Sequence, residues 1–98
     1  MTIEIKRNAE ETIIKIVGRL DTTTAPALDK TINDDIADVK NLVLDMKELE
    51  YISSAGLRVL LGAQKKMQKI GSMKVTHVRE EVMEVFEMTG FADILTIE

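Results

Sequence analysis

Tyr51-Ile52-Ser53-Ser54-Ala55-Gly56-Leu57-Arg58-Val59-Leu60-Leu61 reads as the end of an extended segment that turns through two adjacent serines into an amphipathic helix. Serine is a preferred N-cap, and Leu57, Leu60, Leu61 and Gln64 recur on one side of a helix predicted over Ser54 to Ile70. Lys65, Lys66 and Lys69 fall toward its end, where the macrodipole favours cations. Gly71 follows, a position suited to a left-handed C-terminal turn. Two hydroxyls at the positive end of a helix, beside unpaired backbone N–H groups, make a place where a phosphate would be well received.

Upstream of this segment, Leu42-Val43-Leu44 is a short continuous apolar run, as in a central strand covered on both faces. Asp45 stands at its carboxyl end. Before it, Ala25, Leu28, Ile32 and Ile36 recur at helical spacing, in a helix capped by Thr23 or Thr24, carrying Pro26 in its first turn and ending near Asp38. The first two elements are strands. Thr2 to Arg7 alternates with Ile3 and Ile5 on one face, and Thr12 to Val17 is β-branched at all but one position. Only Asn8-Ala9-Glu10 separates them clearly, so they pair antiparallel, and Gly18 is expected to end the second. The strand around Leu42 is reached through a helix and so runs parallel to its predecessor.

Downstream, Met73 to Val78 reads as a fourth strand. Glu80 to Met88 reads as a third helix, with Val82, Val85 and Phe86 inward, ended by Gly90 with Phe91 packing back. Ile94 to Ile97 is expected as a short last strand or a packed tail. The order β-β-α-β-α-β-α predicts one α/β domain over residues 1–98, with helices on a mixed sheet of four to five strands. Sites in such sheets gather at the carboxyl ends of parallel strands. Three loops lie there: Gly18 to Thr24, Met46 to Ser54 and Thr76 to Glu80.

Composition narrows the function. A chain of 98 residues buries roughly 60 to 70% of the surface exposed when unfolded, enough for one apolar core. Tyr51, Phe86 and Phe91 are the only aromatics, so that core is aliphatic. The absence of Cys excludes disulfides and thiolate metal sites. It also fits a reducing compartment, and with no secretory signal or membrane span evident the expected location is cytoplasmic, away from any membrane. A net charge of −4 argues against direct nucleic-acid binding. No cofactor motif or metal-ligand cluster is present. A serine hydrolase would need a base beside its nucleophile. The sole histidine, His77, lies near the end of the fourth strand and the serines lack an elbow context. The expectation is a binding protein, with no catalytic residue.

Gly56 has two readings. It costs about 1 kcal/mol against Ala in a helix, a cost compensated either by close approach of a partner's backbone or by tight packing of helix on sheet.

Four stretches in register resemble STAS-domain proteins of the free-standing anti-sigma factor antagonist type. Gly18-Arg19-Leu20-Asp21 is similar to the family's Gly-x-Leu-Asp motif after the second strand. Leu42 to Met46 with Leu49-Glu50-Tyr51-Ile52 resembles its third strand and approach loop. Ser53-Ser54-Ala55-Gly56-Leu57 resembles its phosphorylation loop, and Val85 to Phe91 its last helix and Gly turn.

The resemblance implies a STAS fold and a partner-switching mechanism. The unphosphorylated protein binds an anti-sigma factor that is also a serine kinase. Phosphorylation in the loop breaks the complex, and a PP2C-type phosphatase restores it. The family's common Asp-Ser-Ser/Thr-Gly pattern carries the modified hydroxyl next to Gly. Here Ala55 occupies that position, Ser54 matches the first serine and Ser53 the Asp. The expected acceptor is therefore Ser54, with Ser53 second. The implied partner surface comprises Asp21, Thr22, Ser53, Ser54, Ala55, Gly56, Leu57 and Arg58. The alternative is a non-switching STAS subunit of a transporter or lipid-trafficking assembly.

Overall fold

The computed structural model describes residues 1–35 and 38–98. Its elements run β1 (Thr2–Arg7), β2 (Glu11–Leu20), α1 (Ala25–Asp35), β3 (Asn41–Asp45), β4 (Leu49–Ile52), α2 (Ser54–Ile70), β5 (Ser72–Thr76) and α3 (Glu80–Thr89), followed by a 3₁₀ turn at Phe91–Asp93. The sheet order is β1-β2-β3-β5, with β4 pairing β2 off this path. β1 and β2 are antiparallel, Ile3 facing Ile16 and Ile5 facing Ile14. β2–β3 and β3–β5 are parallel. This is the mixed five-stranded α/β sheet expected.

Alternation fixes which face of β2 is covered. Thr12, Ile14 and Ile16 are buried, while Ile13, Lys15 and Val17 between them are half-exposed. Leu42, Val43 and Leu44 of β3 are all buried, as a central strand requires. The buried hydrophobic residues of β2, β3 and β5, Val43 excepted, join Leu28 and Ile32 of α1, Leu57, Leu60, Ala63 and Met67 of α2, and Val82 and Phe86 of α3 in one aliphatic core. Phe86 is its single aromatic anchor and is fully buried. Full burial of such a side chain contributes roughly 1.5–3 kcal/mol. Val85, expected inward, is half-buried beside it, and Phe91 packs against the same core. Ile36, expected on the α1 stripe, lies outside the described residues, and Asp38 already lies in a turn.

Four expectations are revised. β2 does not stop at Gly18. Gly18 takes φ +100°, a bulge separates it from Arg19, and the strand continues to Leu20. Second, Leu49–Ile52 is a strand, pairing in parallel with the last residues of β2: Gly18 with Leu49, Arg19 with Tyr51, Leu20 with Ile52. Lys15 pairs with Glu48, and Gly18 N–H donates to the Glu48 carbonyl at 2.9 Å, so the connection into β4 is fastened to β2. Third, β5 closes at Thr76 and His77 stands beyond it with φ +55°. Fourth, Gly71 has φ 177°, which is extended rather than left-handed. Glycine is needed there because a Cβ would run into the carbonyl of Lys40, which accepts from Ser72 N–H at 2.8 Å. Gly90, by contrast, does take the left-handed turn, with φ 82°. The tail neither pairs fully nor detaches: Ile97 makes one parallel bridge to Val75.

Candidate functional site

The β2–β4 pairing brings two loops together. Leu20 and Ile52 are register partners, and Ser53 N–H donates to the Leu20 carbonyl at 2.9 Å. The turn after β2 and the start of α2 therefore share one rim of the sheet, at the carboxyl ends of two parallel strands.

At this rim the serines divide their work. Ser53 is the N-cap of α2: its backbone is extended (φ −97°, ψ 174°) and its Oγ accepts from Gly56 N–H at 3.3 Å. Its carbonyl accepts from Leu57 N–H at 2.9 Å, the first bond of the helix. Ser54 is the first helical residue and is exposed. Its hydroxyl has no hydrogen-bond partner among the described residues. It sits where N–H groups of the first turn lack intrahelical acceptors and the dipole is positive.

Asp21 organises the neighbouring loop. Its Oδ1 accepts from Thr23 N–H at 3.0 Å, Thr23 Oγ1 at 2.7 Å and Thr24 N–H at 3.2 Å. These bonds favour the charged form, the Thr23 hydroxyl most of all, and hold the carboxyl below its ordinary value. Thr24 stands at the start of α1, with its carbonyl accepting from Leu28 N–H at 3.4 Å. Its hydroxyl points back rather than forward, lying 2.8 Å from Asp21 N–H and 2.9 Å from the Arg19 carbonyl. A sequence-level cap at Thr24 thus serves the turn more than the helix.

Arg19 closes the surface between the loops. Its guanidinium carbon lies 4.3 Å over the ring of Tyr51, and its Nε is 3.8 Å from Asp21 Oδ2. Neither Arg19 nor Tyr51 was expected at the site. The Gly-Arg-Leu-Asp match placed Arg19 beside it, but pairing it with Tyr51 needed the strand β4.

The other expected residues separate by exposure. Thr22 and Arg58 are exposed and Ala55 is half-buried. Gly56 and Leu57 are buried. A Cβ on Gly56 would sit 2.7 Å from Leu20 Cγ and 2.9 Å from Ile52 Cγ1. Of its two readings, tight packing of helix on sheet is sufficient. Leu57 likewise belongs to the core. His77 stands on another part of the rim, with Nδ1 3.3 Å from Asp45 Oδ1. Among the described residues there is no cluster that could hold a metal ion, and no helix is long and apolar enough to cross a membrane.

The strand order, the rim and the serine turn define a domain class that comparison with known proteins bears out. The model of the STAS domain matches residues 2–98, and the chain belongs to the STAS-domain family. Among characterised relatives, it is 31% identical to the anti-sigma-B factor antagonist of Listeria monocytogenes, over 100% of this chain and 89% of that protein. It is 29% identical to the anti-sigma-B factor antagonist of Bacillus subtilis, over 99% of this chain and 90% of that one. Among solved structures, an anti-sigma factor antagonist from Mycobacterium paratuberculosis superposes with a TM-score of 0.89 at 25% identity, covering 98% of this chain and 83% of its own. The Bacillus protein SpoIIAA in its phosphorylated form shares the fold, with a TM-score of 0.77 at 17% identity over 99% and 91% of the two chains.

Proposed function

We propose that this protein is an anti-sigma factor antagonist whose binding is switched by phosphorylation of Ser54. Unphosphorylated, it binds an anti-sigma factor with serine kinase activity through the rim formed by Arg19, Asp21, Thr22, Tyr51, Ser53, Ser54, Ala55 and Arg58. Gly56 and Leu57 hold that rim on the core. A PP2C-type phosphatase returns the modified protein to the binding form. The reading places the protein in the cytoplasm, where its partners work.

The observation that carries the choice of acceptor is the division between the serines. Ser53 Oγ is engaged with Gly56 N–H, so its modification would remove the cap of α2. Ser54 Oγ is exposed and unengaged among the described residues. A phosphate there adds about −1.5 to −2 charge at the positive end of the helix, which the domain tolerates. Arg58 stands one turn on, at the spacing where an anion and a cation attract. A partner packed against the rim would meet that new charge and its hydration. Each 1.4 kcal/mol or so of such repulsion weakens binding about tenfold.

Phosphopeptide mapping of protein from its own cells, beside Ser54→Ala and Ser53→Ala variants, tests this. Phosphate on Ser54, lost in Ser54→Ala and retained in Ser53→Ala, is expected. An unmodified loop under all growth conditions, with co-purification of a permease, would sink the switch in favour of a transporter-associated subunit.

A further inference from the structure

The two long helices after β4 carry opposite and unmixed charge. In seventeen residues, α2 holds Arg58, Lys65, Lys66 and Lys69 and no acid. In ten residues, α3 holds Glu80, Glu81, Glu84 and Glu87 and no base. A helix laid on a domain surface ordinarily mixes signs, because opposite charges at i,i+4 support it and like charges do not.

The cations of α2 are not scattered round the helix. At 3.6 residues per turn, Arg58, Lys65, Lys66 and Lys69 all fall within about 60° of Gly62. All four are exposed, and none forms an ion pair among the described residues. Lys66 makes a hydrogen bond to Asn33 Oδ1, a neutral acceptor that leaves its charge uncompensated.

Gly62, at the centre of this stripe, has no internal reason to be glycine. A Cβ there would meet nothing within 4 Å, in contrast to Gly56 on the same helix. Glycine at a helix interior costs roughly 1 kcal/mol relative to Ala. What it supplies is a flat notch where another backbone can approach between four cations.

We infer that this stripe is a docking surface for an acidic segment of another protein, seated over Gly62 and framed by Arg58, Lys65, Lys66 and Lys69. An anionic membrane fits less well, because Ile70 is the one exposed large apolar side chain of this helix, too little to seat it in lipid. Nucleic acid fits less well, because the chain as a whole carries −4 and places no aromatic on this helix. A second copy docking through its own acidic α3 is the competing occupant, and the self-association measurement below separates it from an acidic segment of another protein. The surface meets the phosphorylation switch only at Arg58; Lys65, Lys66 and Lys69 lie about three turns or more beyond Ser54, and the test below rests on them.

The test uses a fluorescein-labelled helical peptide of about twenty residues rich in Glu, with a Gln-for-Glu peptide as control. Wild-type protein is expected to hold the acidic peptide and not the control, with affinity falling steeply as salt rises and the charges are screened. The combined change Lys65→Gln, Lys66→Gln and Lys69→Gln should weaken binding at least about tenfold, as the loss of several charge contacts implies. Gly62→Leu should weaken it about threefold or more by filling the notch while keeping every charge. Circular dichroism confirms that both variants remain folded. Equal binding of the two peptides, or indifference to these substitutions, would overturn the proposal. So would tighter capture of phosphatidylserine vesicles or duplex DNA through the same lysines. Concentration-dependent self-association in sedimentation, abolished by the same variants, would assign the stripe to a second copy instead.

Discussion

The guanidinium of Arg19 lies 4.3 Å over the ring of Tyr51, and the two residues are register partners on adjacent parallel strands. Their side chains tie the ends of β2 and β4 on the surface, next to the turn that Asp21 holds. Exposed cation–π contacts of this kind are worth about 0.5–1 kcal/mol. A double-mutant cycle with Arg19→Ala and Tyr51→Leu, read by urea unfolding, should return a coupling energy in that range. Additive effects would mean that the pair packs without interacting.

The serines should part company in stability measurements. Ser53→Ala removes the cap of α2 and is expected to cost about 0.5–2 kcal/mol. Ser54→Ala exchanges an exposed hydroxyl for a better helix former and should stay within about 0.5 kcal/mol of wild type. Chemical denaturation of the two variants distinguishes the serine that caps α2 from the one that does not.

Two glycines of α2 give opposite predictions for the same substitution. Gly56→Ala forces a methyl to within 2.7 Å of Leu20 Cγ. Overpacking of this sort typically costs about 1–3 kcal/mol, so the denaturation midpoint should fall despite the gain in helix propensity. Gly62→Ala meets no neighbour within 4 Å and should stabilise by up to about 1 kcal/mol. A destabilised Gly62→Ala would show that the notch is used inside the domain.

Acid should loosen the turn after β2. The folded state holds Asp21 below the ordinary carboxylate value, chiefly through the Thr23 hydroxyl and then the backbone N–H groups of Thr23 and Thr24. A depressed folded value means that the contribution is present above the unfolded value and is lost as pH falls through the folded one. Urea midpoints measured from pH 5 downward should therefore fall less steeply in Asp21→Asn than in wild type, with the difference confined to the region below about pH 4. Parallel curves would remove Asp21 from the acid response.

Much of this architecture is legible in residue order because local and global signals agree. β1, α2 and α3 lie where alternation, capping serine and the terminal Gly90 put them. β4 is the instructive failure. Leu49 and Ile52 are buried and Glu50 and Tyr51 exposed, a pattern without the two-residue period of a strand. Its register against β2 shifts at the Gly18–Arg19 bulge, so the pleat that would create alternation is interrupted. The same bulge hides the last residues of β2, since a glycine after a β-branched run reads as a stop. At the site, the double serine is visible in sequence, but which hydroxyl caps and which stands free depends on where the helix begins. Arg19 meeting Tyr51 was invisible without β4. Gly71 misleads because glycine at a helix end normally signals a left-handed turn, whereas here the constraint is the carbonyl of Lys40, far away in the chain.

The parallel pairing of β2 with β4 also sets when the protein can act. Its register partners, Arg19 with Tyr51 and Leu20 with Ile52, are separated by α1 and β3, and such non-local contacts form late and slowly. The stretch bearing the serines can be synthesised, and could even coil locally, before any rim exists. Under the proposed function, recognition of the assembled rim would report completed folding: a nascent, clipped or partly unfolded chain would display the serines without the platform around them and would not engage the partner.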